Sequence, residues 1–190
     1  MITRIERDLY FVAGVHFNDA FLINTYDITL SMLVESETPN EHAVAMERLD
    51  FFIKNVLTNC VFVNQEHNEV IERYTNAGLE VCALPEEPFD QVVAMAVMLK
   101  LNAIMENRIS ITDITIQSLL SEGIRYPIVL ETAENADMFM GPGWWKKNDT
   151  SIQNKNVILF EQETNIVKLF TDTEWDQLNL SWVDKPKNNA

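Results

Sequence analysis

Apolar and polar positions alternate along two early stretches of the chain. In "DLYFVAGVHF" the residues Leu9, Phe11, Ala13, Val15 and Phe17 share one parity, and in "YDITLSMLVE" Ile28, Leu30, Met32 and Val34 do the same. Successive side chains of a strand point to opposite faces, so period two over such lengths predicts two long, half-buried strands. The short polar link "NDAFLINT" makes them an antiparallel hairpin.

The period then changes. Thr38-Pro39-Asn40-Glu41 has the capping-box residues, with proline at the first helical position. Ala45, Leu49, Phe52, Ile53 and Val56 follow at helical spacing, which predicts a helix ending near Leu57. The strand-like "VFVN" leads into a short helix through Glu69, Ile71 and Tyr74, closed by "NAG". A second proline-led start, "EEPFDQ", opens a third helix bearing Val92, Val93, Ala96 and Leu99. Its apolar surface is wide, and Met95, Met98 and Met105 add packing mass to it. Such a helix is expected to be covered on two sides, by the sheet below and a neighbouring subunit above.

"RISITDITIQS" returns to strand pattern with a slip in phase. Ile109 and Ile111 share one parity while Ile114 and Ile116 take the other, and a bulge near Thr112–Asp113 would reconcile them. "YPIVLE" supplies the last strand of the unit. The expected fold class is α+β, an antiparallel sheet in the order β-β-α-α-α-β-β with helices on one face. It spans residues 1–132. From residue 133 the composition shifts: six of the eight lysines lie there, and no arginine follows Arg125. "GPGWW" is a turn before two large aromatics, "VILFEQETNIVKLF" is a hairpin, and Thr171-Asp172-Thr173-Glu174 caps a short helix. Residues 133–190 therefore form a small, β-rich C-terminal extension packed on the main domain.

Charge narrows the partners. With 29 acidic and 14 basic residues the net charge is −15, so no basic stripe is present to displace counterions from DNA, RNA or an anionic membrane. Self-repulsion keeps such a chain soluble, and mimicry of nucleic acid against a basic protein is the sharper alternative. The longest apolar-rich run, "VVAMAVMLKLNAIM", falls short of a bilayer span. The opening residues lack a signal-peptide core, so the expected location is the cytoplasm (or a host cytoplasm and assembly, for a viral chain). Cys60 and Cys82 sit in apolar settings and are expected as reduced core residues, a disulfide being the alternative. Three scattered histidines and no Cys-x-x-Cys or His-x-x-x-His spacing leave no metal motif, and no cofactor is expected.

Candidate chemistry is sparse. Glu66 and His67 stand side by side at a helix start, as an acid–base pair or as two solvated side chains. Asp113 lies beside the expected bulge. Trp144 and Trp145 either cover the core edge or form an exposed contact patch.

Three stretches carry a resemblance. "YFVAGVHF" is similar to the first strand of the tunnelling-fold 6-pyruvoyl- and 6-carboxy-tetrahydropterin synthases, with His16 at the place of a zinc ligand. "QEHNEVI" resembles that family's Asp-His-x-x-Leu-Asn segment, with Glu66, His67 and Val70 in register. "EEPFDQVVA" resembles the Asn-Pro-Thr-x-Glu-x-x-Ala helix start, with Pro88, Phe89, Gln91 and Ala94 in register. The resemblance spans about residues 7–131 and implies strands joined edge to edge in a homo-oligomer with ring pockets between subunits. In that family three histidines hold zinc, a cysteine attacks, and a glutamate on the strand after the third helix grips the heterocycle. Here the second and third histidines would fall near Leu22 to Asn24, and neither position is histidine. No cysteine lies in the hairpin. The glutamate position falls on Asp113 or Gln117.

The chain therefore resembles a tunnelling-fold protein without the zinc site. Its expected function is to bind a purine- or pterin-like ring at a subunit interface, through Asp113, Gln117 and His16, with Glu66 and His67 as remnants of catalysis. The alternatives are an interaction subunit of a larger assembly, a viral one included, or an acidic inhibitor of a basic protein. A synthase-like lyase stands third.

Overall fold

The computed structural model describes residues 3–35, 38–129 and 136–152. Strands β1 (Thr3–Phe17) and β2 (Ala20–Val34) form a hairpin of 15-residue arms. Only Asn18 and Asp19 join them, with φ of 49° and 59°. Both values lie in the left-handed region required by a tight hairpin turn, and Asn and Asp tolerate it better than other non-glycine residues. Most of the expected loop is thus strand. Its inward parity is occupied by Asn24 and Tyr26, and a buried Asn hides an alternation that continues through it.

Helix α1 (Pro39–Phe51) starts on the expected capping box, Thr38 accepting from the Glu41 N–H and Glu41 from the Thr38 N–H. A widened turn over Phe52–Leu57 extends it, and the Thr58 N–H donates to the Ile53 carbonyl at 3.2 Å. The helical path therefore ends at Leu57 as the spacing predicts, with Phe52, Ile53 and Leu57 all buried. Then come β3 (Val61–Asn64), α2 (Asn68–Asn76), β4 (Val81–Leu84), α3 (Asp90–Met105), β5 (Ile109–Ser118) and β6 (Arg125–Val129).

One sheet holds all six strands in the order β4-β3-β1-β2-β5-β6. The four expected strands are antiparallel neighbours within it. Two four-residue strands widen the sheet into a mixed one, β3 pairing with β1 and β4 with β3 in parallel. "VCAL" and "VFVN" are too short for a period to show, which is why alternation did not reveal their pairing. The slip in β5 is a bulge: Ser31 pairs with Asp113 and Met32 with Ile111, leaving Thr112 extra. Ile109, Ile111, Ile114 and Ile116 are consequently all buried.

The helices do not share one face. Helices α1 and α3 cover the face of Phe11, Tyr26, Ile28 and Leu30. Helix α2 lies on the other face, where its Tyr74 meets His16 and Phe21, residues of opposite strand parity to Val15 and Phe17. The parallel step from β3 to β4 requires a crossover, and that crossover is α2.

Helix α3 is buried nearly all round. What covers it beyond the sheet is its own chain, namely α1 and a segment with tight turns at Ala136–Phe139 and Trp144–Lys146. No neighbouring subunit is needed to bury it. Phe139, Trp144, Trp145 and Ile152 join the same core as the sheet. Both tryptophans are buried. Their indole N–H groups donate to the Ala83 carbonyl (2.9 Å) and the Phe139 carbonyl (3.2 Å), leaving no exposed aromatic tandem. The expected hairpin over 157–170 and the capped helix at Thr171–Glu174 lie outside the described residues.

Candidate functional site

On the α2 face, strand β1 delivers His16 under the short helix. Its Nδ1 lies 3.0 Å from the Tyr74 hydroxyl, and its buried Nε2 has no partner. The His67 ring stands edge-on, 6.0 Å away between centroids. Its Nε2 faces Glu87 at 3.6 Å, and Glu87 also accepts from the Asn64 amide at 3.0 Å. The fold brings His16 and His67 together. Glu66, by contrast, is exposed. The carboxylate beside His67 is Glu87, which sequence reasoning missed because it stands twenty residues further along, in the "EEP" before α3.

A zinc ion would need more than this corner offers. Opposite His16 stands Phe21, and Ile23 follows on the same face of β2. The two-residue turn leaves no loop to carry further ligands. Among the described residues no three of His, Cys, Asp or Glu gather as a metal site. These residues do not fit the zinc of the synthases.

The other candidates lie along the same outer face at different registers. Asp113, at the bulge, accepts from the Thr112 hydroxyl at 2.5 Å and faces Arg4 at 3.5 Å. Gln117 accepts from the Arg125 guanidinium at 2.9 Å. Pairing puts four residues in one row across four strands: Tyr10 opposite Asp27, Asp27 opposite Gln117, Gln117 opposite Arg125. Tyr10 is 72% exposed, and Asp27 and Arg125 are exposed as well. An aromatic plane, a carboxylate, an amide and a guanidinium thus stand side by side.

On the α1–α3 face, where β1 ends and α3 begins, an open cleft of about 200 Å³ is walled by Phe17, Phe89, Leu120 and Tyr126. Asn24 at its side accepts from the Leu120 N–H at 3.2 Å, which fixes the β5–β6 turn. Asp90, first residue of α3, also lines it and is 9% exposed. Its Oδ2 is sealed from water with no hydrogen-bond partner, and the buried Tyr26 hydroxyl is unpaired too. Burial pushes the Tyr26 phenol well above its ordinary range; Asn24 beside it opposes this and the Asp90 carboxylate adds to it. Asn24 nonetheless makes no hydrogen bond of good geometry to that hydroxyl. The cysteines are free and buried, and burial beside Cys60 raises the Cys82 thiol well above its usual value.

No protein-family model and no curated protein matches the chain. Among solved structures it is similar to an uncharacterized protein from Wolinella succinogenes, at 11% identity and a TM-score of 0.46, covering 68% of this chain and 99% of that one. It is also similar to the 6-pyruvoyltetrahydropterin synthase of Plasmodium vivax, at 11% identity, 67% and 97% coverage, and TM-scores of 0.42 and 0.43 in the unmutated and E37A forms.

Proposed function

We propose that the chain is a non-catalytic binding protein for a flat, nitrogen-rich ring of the purine or pterin kind, held against the outer face of the sheet. The single observation that carries this is the in-register row Tyr10–Asp27–Gln117–Arg125. Tyr10 offers a stacking plane. Asp27 can accept two N–H donors from an amino–imino ring edge, and Gln117 with Arg125 can meet a ring carbonyl. The row adds Tyr10, Asp27 and Arg125 to the expected Gln117, while Asp113 and His16 stand outside it. Such a row is open to water on one side, and a second copy of the chain is the proposed cover. Support for the absence of synthase chemistry comes from the hairpin tip, where Asn18 and Asp19 form the whole turn and Phe21 and Ile23 follow.

Thermal shift against guanine nucleotides and pterins tests this. A bound ring at 100-fold excess over its Kd stabilises by about 2.7 kcal/mol. The shift is expected to vanish in Asp27→Asn and to survive His67→Ala. Retention in the first, or turnover of a pterin precursor abolished by the second, overturns the proposal. An interaction subunit of an assembly would show no shift with any ring.

A further inference from the structure

We infer that the cleft on the opposite face of the sheet is a second, separate site, for a small organic cation: a primary ammonium or guanidinium on a short apolar stem. Three features meet there. Asp90 is nine-tenths buried, lines the cleft and has an oxygen that no donor reaches. A buried carboxylate oxygen that no donor reaches is unfavourable, so such groups are normally paired. The position at the start of α3 offers the helix dipole, which supplies part of the compensation. Among the described residues no Lys or Arg faces Asp90: Arg125 is engaged by Gln117 on the outer face, and Lys100 by Lys147 and Asp149.

The walls define the rest of the ligand. Phe17 and Phe89 meet edge to face at 5.3 Å, and Tyr126 completes an aromatic lining. Aromatic faces attract a cation as well as an apolar stem. Phosphates and carboxylates are excluded by Asp90 and by a chain charge of −15. Charge on a carboxylate is shared by both oxygens, so a cation entering from the open side compensates the sealed one too. This site does not depend on the ring-binding row, because Asp90 and Asp27 belong to opposite faces of the sheet.

The probes are benzylamine and phenylguanidine, with benzyl alcohol as the neutral match, titrated against the full chain by calorimetry or protein NMR. The two cations are expected to bind saturably and the alcohol not to. Asp90→Asn is expected to weaken them by at least about tenfold, while Asp27→Asn leaves them unchanged. Without ligand, Asp90→Asn is expected to raise the melting temperature, since an amide of the same shape removes the unanswered charge. Equal binding of alcohol and amine, no saturable binding of either cation, or loss of binding in Asp27→Asn with retention in Asp90→Asn would each overturn the assignment. Loss of guanine or pterin binding leaves it intact, and amine binding leaves the ring proposal to its own test.

Discussion

Lys100 shows how far a single residue can depart from what its type suggests. Its side chain is 0% exposed within α3. The ammonium donates to the Lys147 carbonyl at 3.0 Å, faces Asp149 at 3.5 Å and lies 5.8 Å above the Phe52 ring. Burial lowers its pKa to about 8, and the Asp149 charge only partly offsets that. Because the folded value lies below the unfolded one, the folded chain releases this proton first. Stability contributed by Lys100 therefore rises with pH from about 8 towards 10.5 and is smallest below 8. Between about pH 7 and pH 9.5 the protein is expected to gain about 2 kcal/mol relative to Lys100→Met in urea unfolding. Parallel pH profiles for the two chains would refute this. Cys82 pulls the other way, since its folded thiol keeps a proton that the unfolded chain loses, but it does so in both chains.

At the scale of elements, the segment carrying Trp144 and Trp145 packs both rings into the core. Gly143 makes this dependence sharp. Its backbone is extended, with φ of −163°, so glycine is not there for conformational freedom. It is there for space: a Cβ would come within 2.3 Å of the Trp145 ring. That ring is buried and held by its bond to the Phe139 carbonyl, so it has nowhere to go. Gly143→Ala is expected to destabilise the fold by about 3 kcal/mol, measured by chemical denaturation. The matching change at exposed Gly141, which has nothing within 4 Å, is expected to be nearly neutral. Similar losses at both positions would show that the tryptophan contact is not the cause. Other element features were legible beforehand for local reasons. The capping box at Thr38, the end of the helical path at Leu57 and the bulge at Thr112 each depend on residues within one turn or one strand.

For the whole molecule, charge and exposed apolar surface oppose one another. The outer face of the hairpin exposes Tyr10, Phe21 and Ile23, while Leu119, Leu120 and Ile124 crown the β5–β6 turn. Scattered apolar residues are ordinary on a surface, but a cluster on one face marks a contact. A net charge of −15 holds copies apart. Self-association through the outer face should therefore strengthen as salt screens that repulsion. Light scattering at rising ionic strength is expected to show a shift to dimers or larger species, suppressed by Ile23→Lys. A monomer at every salt concentration would remove the second copy proposed as cover for the ring row.

What the chain determined by itself was whatever depends on near neighbours: the two long strands, three helix starts, the bulge and the α+β class. Period, caps and turn residues act over a few positions, and they are written in order along the sequence. Only the tertiary structure decided the parallel pairing of β3 and β4, the placing of α2 on the far face and the burial of both tryptophans. It also decided that Tyr10, Asp27, Gln117 and Arg125 share one row and that Asp90 is left without a partner beside a cleft. Those facts depend on which distant segments meet, and strand register sets such meetings through packing that no local window contains.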